Sequence, residues 1–245
     1  MSDVSGSLLE IFVSIQGEGL RVGSRQLFVR FFGCNLSCRY CDTASGPHQP
    51  SSFPVDLPPF SRRMPNPADP RELAHIVADN FPPHVAAVTL TGGEPLLQPA
   101  FILAFIPALS SLLRGRMPPV MLETNGVLPD ALAPLAPLLD TVAMDVKLPS
   151  MYGGPPLWGE HERFIGIASH KTFVKVVVGR SMTPDDFDAA VTLVARCAPA
   201  APFFIQPVWP VELSPSALID LQLKALERLP DVKVIVQQHA LLGMR

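Results

Sequence analysis

The run Gly33-Cys34-Asn35-Leu36-Ser37-Cys38-Arg39-Tyr40-Cys41-Asp42-Thr43 sets three cysteines at C-x-x-x-C-x-x-C spacing, with an aromatic residue before the last. Three closely spaced thiolates can hold three irons of a four-iron cluster and leave the fourth iron open for a ligand. The competing reading is a structural zinc site, which needs a fourth ligand; His48 is the nearest candidate in the sequence. A secreted disulfide framework suits the triplet poorly, because bridges between such near neighbours close small, strained loops; a reducing compartment suits it better. Cys197 stands apart at the end of a predicted helix and reads as a small buried hydrophobe.

Outward from the cysteines, short β-branched runs recur at 27–32, 87–91, 120–123, 141–146, 173–178, 203–206 and 232–236. Amphipathic stretches between them predict helices at 71–80, 99–113, 130–139, 184–197 and 215–229, several opened by proline or an acidic residue in the first turn. This alternation is the pattern of a parallel sheet wrapped by helices. Right-handed units of that number close most of a barrel but not all of it. The expected fold is α/β: a partial, open β/α barrel of about six parallel strands, extended by an N-terminal strand at 8–13. One domain is expected over 1–245, with a proline-rich loop inserted at 44–70, where eight prolines leave little room for a helix.

Composition narrows the function classes. The chain has 245 residues, 48% of them hydrophobic, yet no uninterrupted apolar run reaches the eighteen or so residues of a membrane span. Residues 1–6 lack the features of a secretory signal, so a cytoplasmic protein is expected. A formal net charge of -3 offers no general basic field for a nucleic acid.

In a β/α barrel the working residues gather after the carboxyl ends of the strands. Here those positions carry Thr91-Gly92-Gly93-Glu94, Glu123-Thr124-Asn125-Gly126, Asp145-Val146-Lys147, Gln206-Pro207 and Gln237-Gln238-His239. Paired glycines directly after an apolar strand allow backbone to approach a ligand closely. Upstream of the cysteines lie Ile15-Gln16-Gly17-Glu18-Gly19 and Arg30, a turn and a permanent cation.

The cysteine triplet followed by Thr91-Gly92-Gly93-Glu94-Pro95 resembles the radical S-adenosylmethionine superfamily in both content and order. Adding Gln16-Gly17-Glu18-Gly19, Phe28-Val29-Arg30, the Glu123-Thr124-Asn125-Gly126 and Asp145-Val146-Lys147 strand ends and the terminal Gln-x-His-x-x-Leu-Gly pattern makes the chain similar to the 7-carboxy-7-deazaguanine synthases. That resemblance implies a radical SAM barrel with a [4Fe-4S] cluster on Cys34, Cys38 and Cys41, and S-adenosyl-L-methionine against Tyr40, Cys41, Asp42 and Gly93. It extends the cofactor site to Asp145, Val146 and Lys147, and to Gln206, Pro207, Val208 and Trp209. It places Mg2+ on Thr43, and the pterin substrate among Ile15, Gln16, Gly17, Arg30, Thr91 and Arg245.

The implied reaction is a radical ring contraction, a carbon–nitrogen lyase converting 6-carboxy-5,6,7,8-tetrahydropterin to 7-carboxy-7-deazaguanine and ammonia in queuosine-type deazapurine biosynthesis. Flavodoxin or ferredoxin as electron donor, and a homodimer, come with it. The side chains suit such a substrate: Arg30 offers a cation to a carboxylate, and Gln16 and Glu18 offer polar groups to a heteroaromatic edge. Thr43 alone does not hold magnesium, which takes several hard oxygens, so a substrate carboxylate has to share it. Glu123 and His239 are the candidates for catalytic proton transfer, against a reading of both as ordinary strand-end polar residues. The run Gln237-Gln238-His239-Ala240 departs from the family's commoner Gln-Thr-His-Lys; Lys147 and Lys175 are candidates to compensate in charge. Two other functions stay open at this point: a glycyl-radical activating enzyme acting on a protein, which shares the cysteine spacing, and a non-catalytic iron–sulfur or zinc protein.

Overall fold

The computed structural model describes residues 4–43, 46 and 48–244. In chain order the elements are β1 (Leu8–Ile15), β2 (Arg25–Phe31), β3 (Ser52–Leu57), β4 (Phe60–Pro65), α1 (Pro70–Asp79), β5 (Val88–Gly92), α2 (Pro99–Leu113), β6 (Val120–Thr124) and α3 (Pro129–Leu135). They continue with β7 (Thr141–Asp145), α4 (Pro149–Tyr152), α5 (Trp158–Ala168), β8 (Thr172–Val178), α6 (Pro184–Cys197), β9 (Phe203–Pro207), α7 (Pro215–Leu226), β10 (Val232–Val234) and α8 (Gln238–Leu241). Six of the 28 prolines are thereby explained. Pro70, Pro99, Pro129, Pro149, Pro184 and Pro215 each occupy the first turn of a helix, where the missing N–H has no intrahelical acceptor to lose. Asp69, Thr183 and Ser214 cap three of these helices with side-chain oxygens.

The strands form one sheet in the order β10-β9-β8-β7-β6-β5-β2-β1-β3-β4. From β2 through β5 to β10 every neighbour is parallel, joined by helical crossovers, and the sheet ends free at β10 and β4, so the barrel is open as expected. β1 pairs antiparallel with β2 and is the expected N-terminal extension, two residues longer than its apolar run suggested.

The 44–70 segment corrects the expectation of a loop. Residues 52–65 form the β3–β4 hairpin, which continues the sheet beyond β1. Phe53, Val55 and Leu57 point into the core in strict alternation with half-buried Pro54 and Asp56. Proline is tolerated because β3 meets β1 only at Val55 and Asp56, Pro58 and Pro59 make the two-residue connection, and β4 is an edge strand. A second difference is α5, a helix between β7 and β8 that the sequence reading left out.

The main core lies between the sheet and its helices, built on residues such as Leu90, Leu122, Val142, Val174 and Ile205 from the strands and Phe101, Phe105, Phe164 and Phe187 from the helices. Inside the barrel a smaller cluster of Met121, Phe173 and Phe204 is buried in turn. Because side chains alternate along β8, Phe173, Lys175 and Val177 face the barrel interior while Val174 and Val176 face the helices. Among the described residues no helix is long and apolar enough to cross a membrane.

Candidate active site

A cavity of about 390 Å³ opens at the carboxyl ends of the parallel strands, where the barrel interior meets the cysteine run. Cys34, Cys38 and Cys41 all line it, and none is in a disulfide. Burial pushes the thiols of Cys34 and Cys38 above the ordinary cysteine value. Among the described residues the one group whose ligand atoms all lie within 4.8 Å of each other is Glu18, Asp42 and His239, so the three thiols are spread more widely. A tetrahedral zinc with bonds of about 2.3 Å draws its thiolates closer than that, whereas a cluster takes one thiolate on each of three irons. The donor set therefore fits an iron–sulfur cluster.

Two glycines bring the loop to the sheet. A Cβ on Gly93 would lie 2.0 Å from the Gly33 carbonyl oxygen, and one on Gly92, at φ +127°, would strike Phe31 backbone at 2.4 Å. The pair permits the Phe31–Gly93 and Gly33–Glu94 backbone hydrogen bonds at 3.1 and 2.8 Å. The close approach is thus to the cysteine loop itself, not to a ligand alone as the turn had suggested.

Side chains from the strand ends then hold the loop. Asn125 Nδ2 donates to Asn35 Oδ1 at 2.8 Å and reaches Cys34 Sγ at 3.9 Å. Lys147 Nζ lies 3.3 Å from the Tyr40 hydroxyl, 5.2 Å from the centre of its ring, and 2.8 Å from Asp145 Oδ2. Beneath them Glu94 is fully buried and accepts from the Leu96 N–H, the Thr124 hydroxyl and the Asn125 N–H at 3.0, 2.9 and 2.8 Å.

On the opposite wall, Glu123 accepts from Gln16 Nε2 at 2.8 Å and from the Thr91 hydroxyl at 2.6 Å. Burial first, and then the negative charge of Glu18, raise its pKa above the usual carboxylate range. Glu18 itself takes Lys175 Nζ at 2.5 Å and the amides of Gln206 and Gln237 at 2.9 Å each. Burial pushes its carboxyl up, but the Lys175 ammonium more than offsets this and holds the pKa below its ordinary value. The Gln237 amide also reaches Asp42 at 3.1 Å, and His239 Nε2 lies 3.7 Å from the same carboxylate. That proximity raises the His239 pKa and favours its imidazolium. With Lys175 and His239 already against the carboxylates, the Glu18–Asp42–His239 group reads as an internal ion network more than a metal cage. Arg30 is paired with Glu10 at 2.9 Å, and its guanidinium sits 5.3 Å from the Phe12 ring.

Of the residues picked out by the sequence, Ile15, Gln16, Gly17, Arg30, Thr91, Glu123 and His239 line the cavity, as do Tyr40, Asp42, Thr43, Gly93, Asp145, Lys147, Gln206, Val208 and Trp209. Thr43 also borders a side opening of about 370 Å³ with Glu10, Arg30 and Met244. Two do not reach the cavity: the Val146 side chain belongs to the sheet–helix core, and Pro207 is buried without lining it. Arg245 lies outside the described residues. The sequence reading gave no site role to Glu94, Asn125 or Glu10; the first two sit in quoted strand-end runs, which was the available signal. Two buried acceptors, Asp145 Oδ1 and Gln206 Oε1, have no hydrogen-bond partner. Unpaired acceptors in a buried wall suit a ligand rich in donors, such as the ribose hydroxyls and ammonium of S-adenosylmethionine.

Comparison with known proteins agrees with this chemistry. Residues 28–196 match the Radical SAM superfamily. A 7-carboxy-7-deazaguanine synthase of Geobacter sulfurreducens is 36% identical, with 99% of each chain covered, and one of Methanothermobacter thermautotrophicus is 32% identical, with 97% of each covered. The crystal structure of QueE from Escherichia coli superposes with a TM-score of 0.57 at 18% identity, covering 95% of this chain and 94% of that one. Native anSMEcpe with bound AdoMet gives the same TM-score at 16% identity over 86% of this chain and 64% of that one, a likeness of fold.

Proposed function

The chain belongs to the 7-carboxy-7-deazaguanine synthases of the Radical SAM superfamily, and from that membership we propose that its cavity contracts 6-carboxy-5,6,7,8-tetrahydropterin to 7-carboxy-7-deazaguanine with release of ammonia. The observation that carries the reading is one cavity in which three free thiols face a cation, a carboxylate and a carboxamide, namely Arg30, Glu123 and Gln16. Cys34, Cys38 and Cys41 hold the [4Fe-4S] cluster, and Asp145, Lys147 and Gln206 stand where S-adenosylmethionine binds. When bound, the cluster and S-adenosylmethionine together supply a 5′-deoxyadenosyl radical able to remove a hydrogen atom from carbon.

The protein's part is placement and exclusion. Arg30 meets the pterin carboxylate; Glu10 and the Phe12 face restrict its guanidinium to one side of the cavity. Glu123, turned by Gln16 and Thr91, presents an acceptor to ring N–H groups, and the burial that raises its pKa makes it a stronger proton acceptor than an exposed carboxylate. Phe12, Phe28 and Phe173 supply apolar walls against a flat ring and keep water from the reacting carbon. Thr43 would offer Mg2+ one hydroxyl oxygen, and the ion would need further hard oxygens such as a substrate carboxylate. A flavodoxin or ferredoxin delivers the electron, and the working unit is a homodimer.

Anaerobic incubation of the reconstituted protein with the pterin acid, S-adenosylmethionine and dithionite is expected to yield the deazaguanine acid; a sample with an intact cluster that makes none would refute the substrate assignment. Arg30→Ala is expected to raise the KM for the pterin by about 50-fold, the worth of a charge-assisted hydrogen bond, with iron content unchanged. Loss of the cluster instead would make Arg30 a structural residue. Thr43→Ala is expected to shift the Mg2+ concentration for half-maximal stimulation upward by about tenfold, and a superimposable magnesium titration would remove Thr43 from the ion.

A further inference from the structure

β6 and β7 are paired as far as Thr124 and Met144 and then part, β6 into Asn125-Gly126 and β7 into Val146-Lys147. On its other side β7 stays tied to β8, where the Val146 N–H meets the Lys175 carbonyl at 2.9 Å. The split between β6 and β7 is filled by the ring of His161, from the first turns of α5, which is fully buried. Its Nδ1 lies 3.1 Å from the Gly126 carbonyl oxygen, and its Nε2 accepts the Lys147 backbone N–H at 3.0 Å. A carbonyl only accepts and an amide N–H only donates, so the ring is neutral, with its proton on Nδ1. Burial agrees, pushing the imidazole down to about 4.

The two groups joined in this way adjoin the two side chains that grip the cysteine loop. Asn125, next to Gly126, bonds Asn35 and reaches Cys34, and Lys147 bonds Tyr40. The loop itself leaves Cys34 and Cys41 exposed; among the described residues its other ties to the body are the Gly33–Glu94 backbone bond at 2.8 Å, a backbone bond from Arg39 N–H to the Tyr152 carbonyl at 3.3 Å, and the contacts of Asp42 with Gln237 and His239 at its far end. The stretch from Cys34 to Tyr40 is therefore held by side chains largely from these strand ends. An aliphatic residue at 161 fills the space but leaves a buried donor and a buried acceptor unpaired, and both then drift toward other partners.

We propose that His161 is a positioning residue for the radical-generating end of the cavity: its ring locks the Gly126 and Lys147 strand ends together, and through Asn125 and Lys147 it sets how the cluster loop meets S-adenosylmethionine. This rests on the cluster and S-adenosylmethionine sites described above but not on the identity of the pterin.

The test uses the full chain, reconstituted anaerobically and reduced with dithionite, with S-adenosylmethionine titrated against the electron-paramagnetic signal of the cluster. His161→Leu is expected to keep its iron but to need about tenfold more S-adenosylmethionine for the spectral change, the equivalent of one displaced hydrogen bond. His161→Gln, which carries a donor and an acceptor at its tip, is expected to recover most of that loss. A folded His161→Leu protein that titrates like wild type would overturn the proposal. If His161→Leu does not fold, His161→Asn, which reaches Gly126 but is too short for Lys147, is compared with His161→Gln at matched melting temperature. A weaker S-adenosylmethionine response in His161→Asn supports the assignment, and equal responses refute it. No pterin is present in the titration, so a wrong substrate leaves this result readable.

Discussion

Cys38→Ala folds, takes up no cluster that responds to S-adenosylmethionine, and makes no product above background, a loss of at least about 10⁴-fold, because all of the catalysed chemistry passes through that centre. Folding survives because the thiol contributes nothing to the hold on its own loop: Asn125 grips Asn35 and Lys147 grips Tyr40, both through other residues. Its removal from a half-exposed position is expected to change stability by about 0.5 kcal/mol or less. Circular dichroism, iron analysis with the visible spectrum, and product chromatography report the three consequences separately. Cys197→Ala is the control and is expected to behave as wild type; the thiol sits at the end of α6, away from the cavity lining. Normal product formation by Cys38→Ala would end the cluster assignment.

Glu94→Ala is expected to destabilise the fold by about 4 kcal/mol or more. It strands three buried donors, the Leu96 and Asn125 amides and the Thr124 hydroxyl, and opens a cavity beneath the loop. Urea unfolding of the metal-free protein measures it, and a loss below about 1 kcal/mol would mean that neighbours or water replace the carboxylate. Glu94 also carries a pH signature. Burial pushes its pKa up to about 7 from an ordinary 4.5, so between those values the folded chain binds more protons than the unfolded one. The stability contributed by this residue is accordingly present at the acid end of that window and falls as pH rises through it, by about 3 kcal/mol at most. Glu94→Gln, which does not titrate, is expected to flatten that slope.

Features written in short stretches of chain were the ones open to reading from the sequence. The cysteine spacing, the glycine pair and the period of apolar runs are local, and each found its place: thiols in one cavity, glycines where two strand ends touch, strands in parallel order. The β3–β4 hairpin was hidden although Phe53, Val55 and Leu57 alternate, because proline density overrode a period-two signal that the sparse β1–β3 pairing and the edge position of β4 make compatible with proline. α5 was missed because Trp158-Gly159-Glu160-His161 opens it without a proline or a side-chain cap, unlike the helices around it. Pairings such as Glu10 with Arg30 depend on the register between β1 and β2, and Glu18 with Lys175 on the curl of the sheet; neither is encoded in any one stretch. Val146 is the converse case: the motif runs through three consecutive residues, but alternation sends the middle side chain to the opposite face.

The bonds around Glu18 span 157, 188 and 219 residues, to Lys175, Gln206 and Gln237, and Asp42 meets Gln237 across 195. A chain emerging from the ribosome at about 5–20 residues per second therefore finishes its cysteine loop about ten seconds or more before Gln237 has been translated. Through that interval the thiols are made while the pocket is not. Synthesis itself separates the moment at which the thiols exist from the moment at which substrate can be held.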